Sequence, residues 1–327
     1  MRRTKNQHFI SQVEQRLNTC NPGARPANQR IYEFKIEDRD ERILRLTNAK
    51  GNLIENNLSM LDLFSFDVDR DIRLNFEEAF GRYEAQIRAN TKSILLAHAT
   101  GSSEISAEVF NLFVAKLMNF IRNPYSIAKV LNTFGLVADH HPTDPVVYDA
   151  YVRILTGRKP HQEYLCNELG ISDDQYKTWL RLMFMLLTPM ADGFPNFLEA
   201  SQRSLFEAKT HEVIVHVHKY DEHKCLLSDR GFSSPIDQNL HLSFDFNLTS
   251  SAFIRYVFLD YKTVLGGELP ESIRRGLELG PKLVKVSYQS NDLPALDIFH
   301  RRVIEQSYKN VYCSGKTAYG ATILPPL

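Results

Sequence analysis

The chain has 327 residues, 43% hydrophobic and 24% charged, which excludes a disordered protein and leaves enough apolar side chain for a sizeable core. Lys plus Arg and Asp plus Glu each number 39, so no overall basic field argues for nucleic acid, and any such interface has to be a local patch. No run approaches the roughly 20 apolar residues of a membrane-spanning helix. No apolar stretch follows Met1-Arg2-Arg3, and Cys20, Cys166, Cys225 and Cys313 are scattered, which points to the cytoplasm, reduced thiols and no membrane contact.

Residues 1–29 are polar and broken by Asn21-Pro22-Gly23 and Arg25-Pro26. Tyr32, Phe34 and Ile36 then alternate with Glu33 and Lys35, which predicts a strand. A second strand over 43–46 pairs with it through a turn at Asp38-Arg39-Asp40. From about Asp71 the period becomes helical. Phe76, Phe80, Tyr83, Ile87 and Ile94 share one face, and Phe110, Phe113, Val114, Leu117 and Ile121 repeat the pattern. Ser106 is the expected cap of this second helix and Pro124 its end. Further helices are expected over 126–135, 144–156, 160–169, 173–189 and 196–209.

Near residue 210 the period switches to two. Strands are expected over 213–217, 240–248, 253–259 and 283–288, with helices over 272–279 and 293–306. The expected fold class is α+β, in one integrated body. Its parts are an extended N-terminal segment (1–70), a helical middle bundle (71–209), a mainly antiparallel strand-rich part with a closing helix (210–314) and a tail (315–327).

Three local patterns carry possible chemistry. The segment 165–182 has the helix, Leu-Gly-Ile-Ser turn and second helix of a helix-turn-helix, although Tyr176, Trp179, Leu180, Leu182 and Met183 make the second helix apolar nearly all round. His216-x-His218 puts two imidazoles on one face of a strand. With a turn at Asp221-Glu222, Cys225 would sit across from His218, the start of a zinc site or simply a solvated hairpin face. Glu84 falls at the edge of a core-facing stripe, as a snorkelling edge residue or a partly buried carboxylate needing a partner. Asp139-His140-His141-Pro142 reads as a polar connection. No phosphate-cradling Gly-rich loop or Gly-x-Ser-x-Gly elbow occurs.

Lys5-Asn6-Gln7-His8-Phe9-Ile10-Ser11-Gln12 at the start, Arg122-Asn123-Pro124 at a helix end, Ser228-Asp229 after a strand and Asn310-Val311-Tyr312 after the closing helix together resemble the bacterial domain-of-unknown-function 4238 family. The likeness spans nearly the whole chain through short motifs. Gln7 stands where the family tends to have His, Ser11 where it has Pro, and Arg230-Gly231 where it has Asn-Pro.

The resemblance implies an antiviral (phage) defence context. Two readings follow, and whether the chain is an enzyme stays open between them. In the first, a nuclease-like effector acts on nucleic acid: His8 serves as general base or acid, Asp229 orients it or binds a divalent metal, Arg122 contacts phosphate, and Glu84 joins the same cleft. Gln12 and Ser228 are the accompanying binding residues. In the second, a non-enzymatic sensor or adaptor binds a phage component or a protein of the same defence system, and His8 and Asp229 satisfy buried polar groups. A DNA-binding regulator using 165–182 is the third expectation.

Overall fold

The computed structural model describes residues 6–69, 72–102, 104–189, 193–234, 241–265, 270–272, 275, 282 and 284–327. The N-terminal part holds β1 (Asn6–His8), α1 (Gln12–Leu17), β2 (Arg30–Asp38), β3 (Ile43–Leu46), β4 (Asn52–Leu53), β5 (Ser59–Leu61), β6 (Phe66–Asp69) and β7 (Ile72–Leu74). The bundle follows as α2 (Glu77–Thr100), α3 (Ser106–Arg122), α4 (Ile127–Ala138), α5 (Pro145–Thr156), α6 (Gln162–Leu169), α7 (Asp173–Leu187) and α8 (Phe197–Glu207). The last part holds β8 (His211–Lys219), β9 (Leu227–Ser228), β10 (His241–Thr249), β11 (Ala252–Asp260), α9 (Tyr261–Leu265), β12 (Val284–Ser290), α10 (Leu293–Gln306), β13 (Asn310–Cys313) and β14 (Thr322–Leu324). The class is α+β. The helix expected over 272–279 falls mostly outside the described residues.

β2 and β3 form the hairpin that the alternation predicts, with Phe34 opposite Leu46 and Ile36 opposite Leu44. The free edge of β2 is taken by β13, which pairs with β9, and β14 runs parallel to β3. Both ends of the chain therefore build one sheet. The segment expected as a tail supplies a strand, because residues 322–324 complete the open edge of β3.

In the bundle, α2 buries Phe80, Tyr83, Ile87, Ile94 and Ala97 along one stripe and ends at Gly101, whose φ of 72° is the left-handed conformation glycine adopts freely. Ser106 is the first residue of α3 rather than its cap, and Pro124 ends that helix as expected. Ser172 and Gln175 form a reciprocal capping box at the start of α7. Tyr176, Trp179, Leu180, Leu182, Met183, Leu186 and Leu187 of α7 are all buried. Trp179 Nε1 donates to the Ile121 carbonyl at 2.7 Å and the Tyr176 hydroxyl to the Leu63 carbonyl at 2.8 Å. The face that a DNA-reading helix would offer to a groove is thus inside the protein, which removes the feature behind the regulator expectation.

The second sheet has the order β10-β11-β8-β12, with β12 parallel to β8 and the other pairs antiparallel. It lies against α3 through Phe113, whose ring meets Tyr256 at 4.9 Å and Phe258 at 5.5 Å. Full burial of one such ring is worth about 1.5–3 kcal/mol. One core runs from Phe9 through the bundle to β8 and β11. Another gathers Phe34, Leu44, Phe253, Leu296 and Phe299 between the first sheet and α10. The expected hairpin at Asp221-Glu222 does not form: His218 stands opposite Phe253 and Gln289, and Cys225 N–H donates to the Ser250 carbonyl.

Candidate functional site

β1 sends successive side chains to opposite faces. Gln7 is buried and structural, with Nε2 donating to Ser65 Oγ at 3.0 Å and Oε1 accepting the Phe64 N–H at 2.5 Å. His8 is half-buried. Its Nδ1 lies 3.0 Å from the Asn57 carbonyl oxygen, which only accepts, so Nδ1 carries the proton and Nε2 is left as an acceptor. Gln12 Nε2 is 2.6 Å from that nitrogen, and Gln12 Oε1 accepts from Arg16 Nη2 at 2.5 Å. Gln12 and Arg16 stand one turn apart on α1, which is why the three groups line up. Burial holds the His8 pKa below the ordinary imidazole value; the Asn57 carbonyl and Glu84 oppose this, while Arg122 and Arg16 add to it. The imidazole is neutral near pH 7, the form a general base needs.

Beside it, α3 carries Lys116, Asn119 and Arg122 at three-residue intervals on a buried stripe. Arg122 is 1% exposed. Its Nη1 donates to Glu84 Oε1 at 2.6 Å, its Nη2 to Asn119 Oδ1 at 2.9 Å, and its guanidinium sits 5.0 Å from the Phe80 ring centre. Asn119 Nδ2 donates onward to Glu14 Oε2, and Lys116 Nζ donates to Glu14 Oε1 and, at 2.6 Å, to the Asn247 carbonyl. Two cations and two carboxylates alternate along this chain of contacts. Glu84 is therefore a partly buried carboxylate with a partner. The expectation that Arg122 contacts phosphate is corrected on burial: both Nη atoms are held by protein groups, and the Nε, which has no hydrogen-bond partner among the described residues, is itself buried.

Asp229 and Ser228 belong to a different set of contacts. The Asp229 carboxylate accepts the backbone N–H groups of Tyr308 (2.7 Å), Lys309 (2.7 Å) and Asn310 (3.0 Å), and is 1% exposed. Ser228 Oγ bonds Ser307 Oγ at 2.8 Å and accepts the Arg230 N–H at 3.0 Å. Together they clamp the turn between α10 and β13. Asn123 Nδ2 ties the end of α3 to the Asp229 carbonyl at 2.8 Å. The structure thus brings His8, Gln12, Glu84 and Arg122 to one region, and turns the Asp229 and Ser228 side chains away to residues 307–310. An orienting or metal-binding role for Asp229 beside His8 is corrected: its buried carboxylate holds the backbone of 308–310, and the His8 ring nitrogens meet Asn57 and Gln12 instead.

A feature that no sequence motif announces lies at the far end of the His8–Gln12–Arg16 line. A pocket of about 450 Å³ opens there, lined by Arg16 and Thr19 from the N-terminal part, Arg88, Thr91 and Lys92 from α2, and Thr249 from β10. Every charged residue among its described lining is a cation. Arg88 and Lys92 are exposed, and among the described residues neither pairs with a carboxylate. Arg16 Nε and Thr91 Oγ1 are buried with no hydrogen-bond partner among the described residues. The one signal in the sequence is the i, i+4 spacing of Arg88 and Lys92, which any solvated helix face can show.

The histidine pairs do not build a metal centre. His216 Nδ1 lies 2.6 Å from Ser287 Oγ, and His218 stacks on Phe253 with ring centres 4.4 Å apart. Burial holds the His218 pKa down to about 4. Cys225 is in the second core, and His140 and His141 are exposed in a loop. Among the described residues no three His, Cys, Asp or Glu gather to hold a metal ion, and no helix is long and apolar enough to cross a membrane.

No family model matches the chain, and comparison with curated proteins and with solved structures returns no match either.

Proposed function

We propose that the chain binds the phosphates of a nucleic-acid strand in the pocket of Arg16, Arg88 and Lys92, as a nuclease-like effector whose proton acceptor is His8. The observation that carries this reading is the charge of the pocket: three cations from two separate elements, and no carboxylate among the described residues lining it. Guanidinium groups match phosphate oxygens with paired donors, an ammonium adds a mobile point charge, and the Thr91 and Thr249 hydroxyls add neutral donors. A chain with zero net charge attracts a polyanion only where its cations are grouped, as α1 and α2 group them.

His8 is two hydrogen bonds from Arg16. In the cleavage step Nε2 takes a proton from a water, whose oxygen bonds to phosphorus while the ester P–O bond opens and the leaving oxygen takes a proton from solvent. Gln12 has to swing away from Nε2 to admit that water. The bacterial antiviral setting rests on the sequence resemblance alone.

The test is a labelled single-stranded oligonucleotide, followed by anisotropy for binding and by gel for cleavage. The wild type is expected to bind and cleave, R88A/K92A to bind about tenfold or more weakly, and H8A to bind without cleaving. Absence of binding sinks the reading. Binding without cleavage in the wild type favours the sensor or adaptor, in which the neutral His8 merely anchors α1 to Asn57.

A further inference from the structure

A second pocket, of about 430 Å³, is lined by Phe9 just after β1 and by residues from β2, the 52–59 segment and β13, with Tyr125 closing one side. Its charged lining residue is Glu33, which β13 faces with Tyr312. The Glu33 carboxylate accepts from Asn310 Nδ2 at 2.6 Å, the Tyr312 hydroxyl at 3.3 Å, Thr47 Oγ1 at 3.4 Å and Asn52 Nδ2. All four donors are neutral. Glu14 and Glu84 have a Lys or an Arg beside them, whereas among the described residues no cation pairs with Glu33. Lys309 pairs instead with Glu168 at 3.6 Å.

Burial, the largest influence on Glu33, pushes its carboxyl above the usual range, against the hydrogen bonds of Tyr312, Thr47 and Asn52 and together with the nearby Asp229 charge. Tyr125 feels the same surroundings: burial first, then Asp229, Glu168, Tyr308 and Glu33 all push its phenol up. Among the described lining residues the one charged side chain is acidic. The pocket wall is aromatic: Phe9 meets Tyr125 edge-on at 5.3 Å, and Tyr125 stacks on Tyr308 at 4.4 Å. Aromatic faces attract cations, and the amide oxygens of Asn56 and Asn57 can serve as further acceptors.

We infer that this pocket binds an organic cation, an amine or guanidinium group, with Glu33 as its counter-charge and Tyr125 as its aromatic wall. A phosphate or carboxylate is repelled by Glu33, and a wholly apolar ligand strands the asparagine amides. The inference does not depend on nucleic-acid binding at the Arg16 pocket.

Isothermal titration of the full chain with agmatine, which carries a guanidinium and an ammonium, tests it, with glutarate as the anionic and acetamide as the neutral control. Agmatine is expected to bind saturably and the controls not to bind. E33Q keeps the side-chain shape without the charge and is expected to weaken agmatine about tenfold or more. Asn56 is exposed, so N56R leaves the fold intact while filling the pocket with its own guanidinium, and is expected to abolish the heat without lowering Tm. Should E33Q fold poorly, N56R decides. No saturable agmatine binding in the wild type, equal binding of glutarate, or wild-type affinity in N56R overturns the inference.

Discussion

Arg122 at the end of α3 and Asp229 after β9 are each 1% exposed, and they are held in opposite ways. The guanidinium is held by a carboxylate and an amide in a chain of contacts that runs on to Glu14 and Lys116, whereas the carboxylate is held by three backbone N–H dipoles and, among the described residues, bonds no cation. Both groups are turned inward, to partners that the fold itself supplies. A buried charge held in this way serves the fold, whereas His8 and Arg16 are half-buried and Arg88 and Lys92 exposed, where a ligand can reach them. Burial separates the two roles more sharply than residue type does.

The contrast breaks first in the ion network. K116M removes the cation that Glu14 shares, leaves a carboxylate uncompensated at 1% exposure, and is expected to cost about 3–5 kcal/mol in urea unfolding. A loss under about 1 kcal/mol would mean that Glu14 does not depend on Lys116. On the other side, D229A orphans three N–H groups and is expected to cost about 2–4 kcal/mol, with D229N recovering part of it. Oligonucleotide affinity should stay put in folded D229N, and a large drop there would return Asp229 to the site.

A smaller effect concerns pH. His218 and His300 are neutral in the fold, with pKa values held down to about 4 mainly by burial, and His300 Nε2 already accepts the Leu226 N–H. Unfolded histidines protonate near pH 6.5, so the unfolded chain gains protons first. Stability is therefore expected to be full above about pH 6.5 and to fall steadily towards pH 4. H218F, which keeps the stack on Phe253, should flatten that fall, and an unchanged curve would mean that other groups govern it. H8A comes last, with an expected loss of about 1 kcal/mol in the same melts, since it gives up one carbonyl and one amide hydrogen bond.

Most helices and long strands are legible because their burial imposes a period on the sequence. The closing helix, the β2–β3 hairpin and the switch near residue 210 follow directly from it. Pairing at a distance is what cannot be read. β9 and β13 are too short to announce themselves, and nothing local says that Asp229 will meet N–H groups some 80 residues away. Residues 322–324 look like a tail because three residues carry no period. The buried stripe of Lys116, Asn119 and Arg122 is visible as polar positions three apart in an apolar helix. Its partners are not, since Glu14 and Glu84 arrive from other elements. The Arg16 pocket is hidden for the same reason: Arg88 and Lys92 are ordinary surface cations until α1 brings a third beside them.

The most direct test of this division between scaffold and site is the salt dependence of oligonucleotide binding, measured by anisotropy on the wild type and on R88A/K92A at equal Tm. The log–log slope should become shallower by about 0.7 for each phosphate that is no longer neutralised, about 1.4 for the pair, with the melting curves superimposed. An unchanged slope and affinity in a folded R88A/K92A protein would contradict the assignment of these exposed cations to a phosphate site.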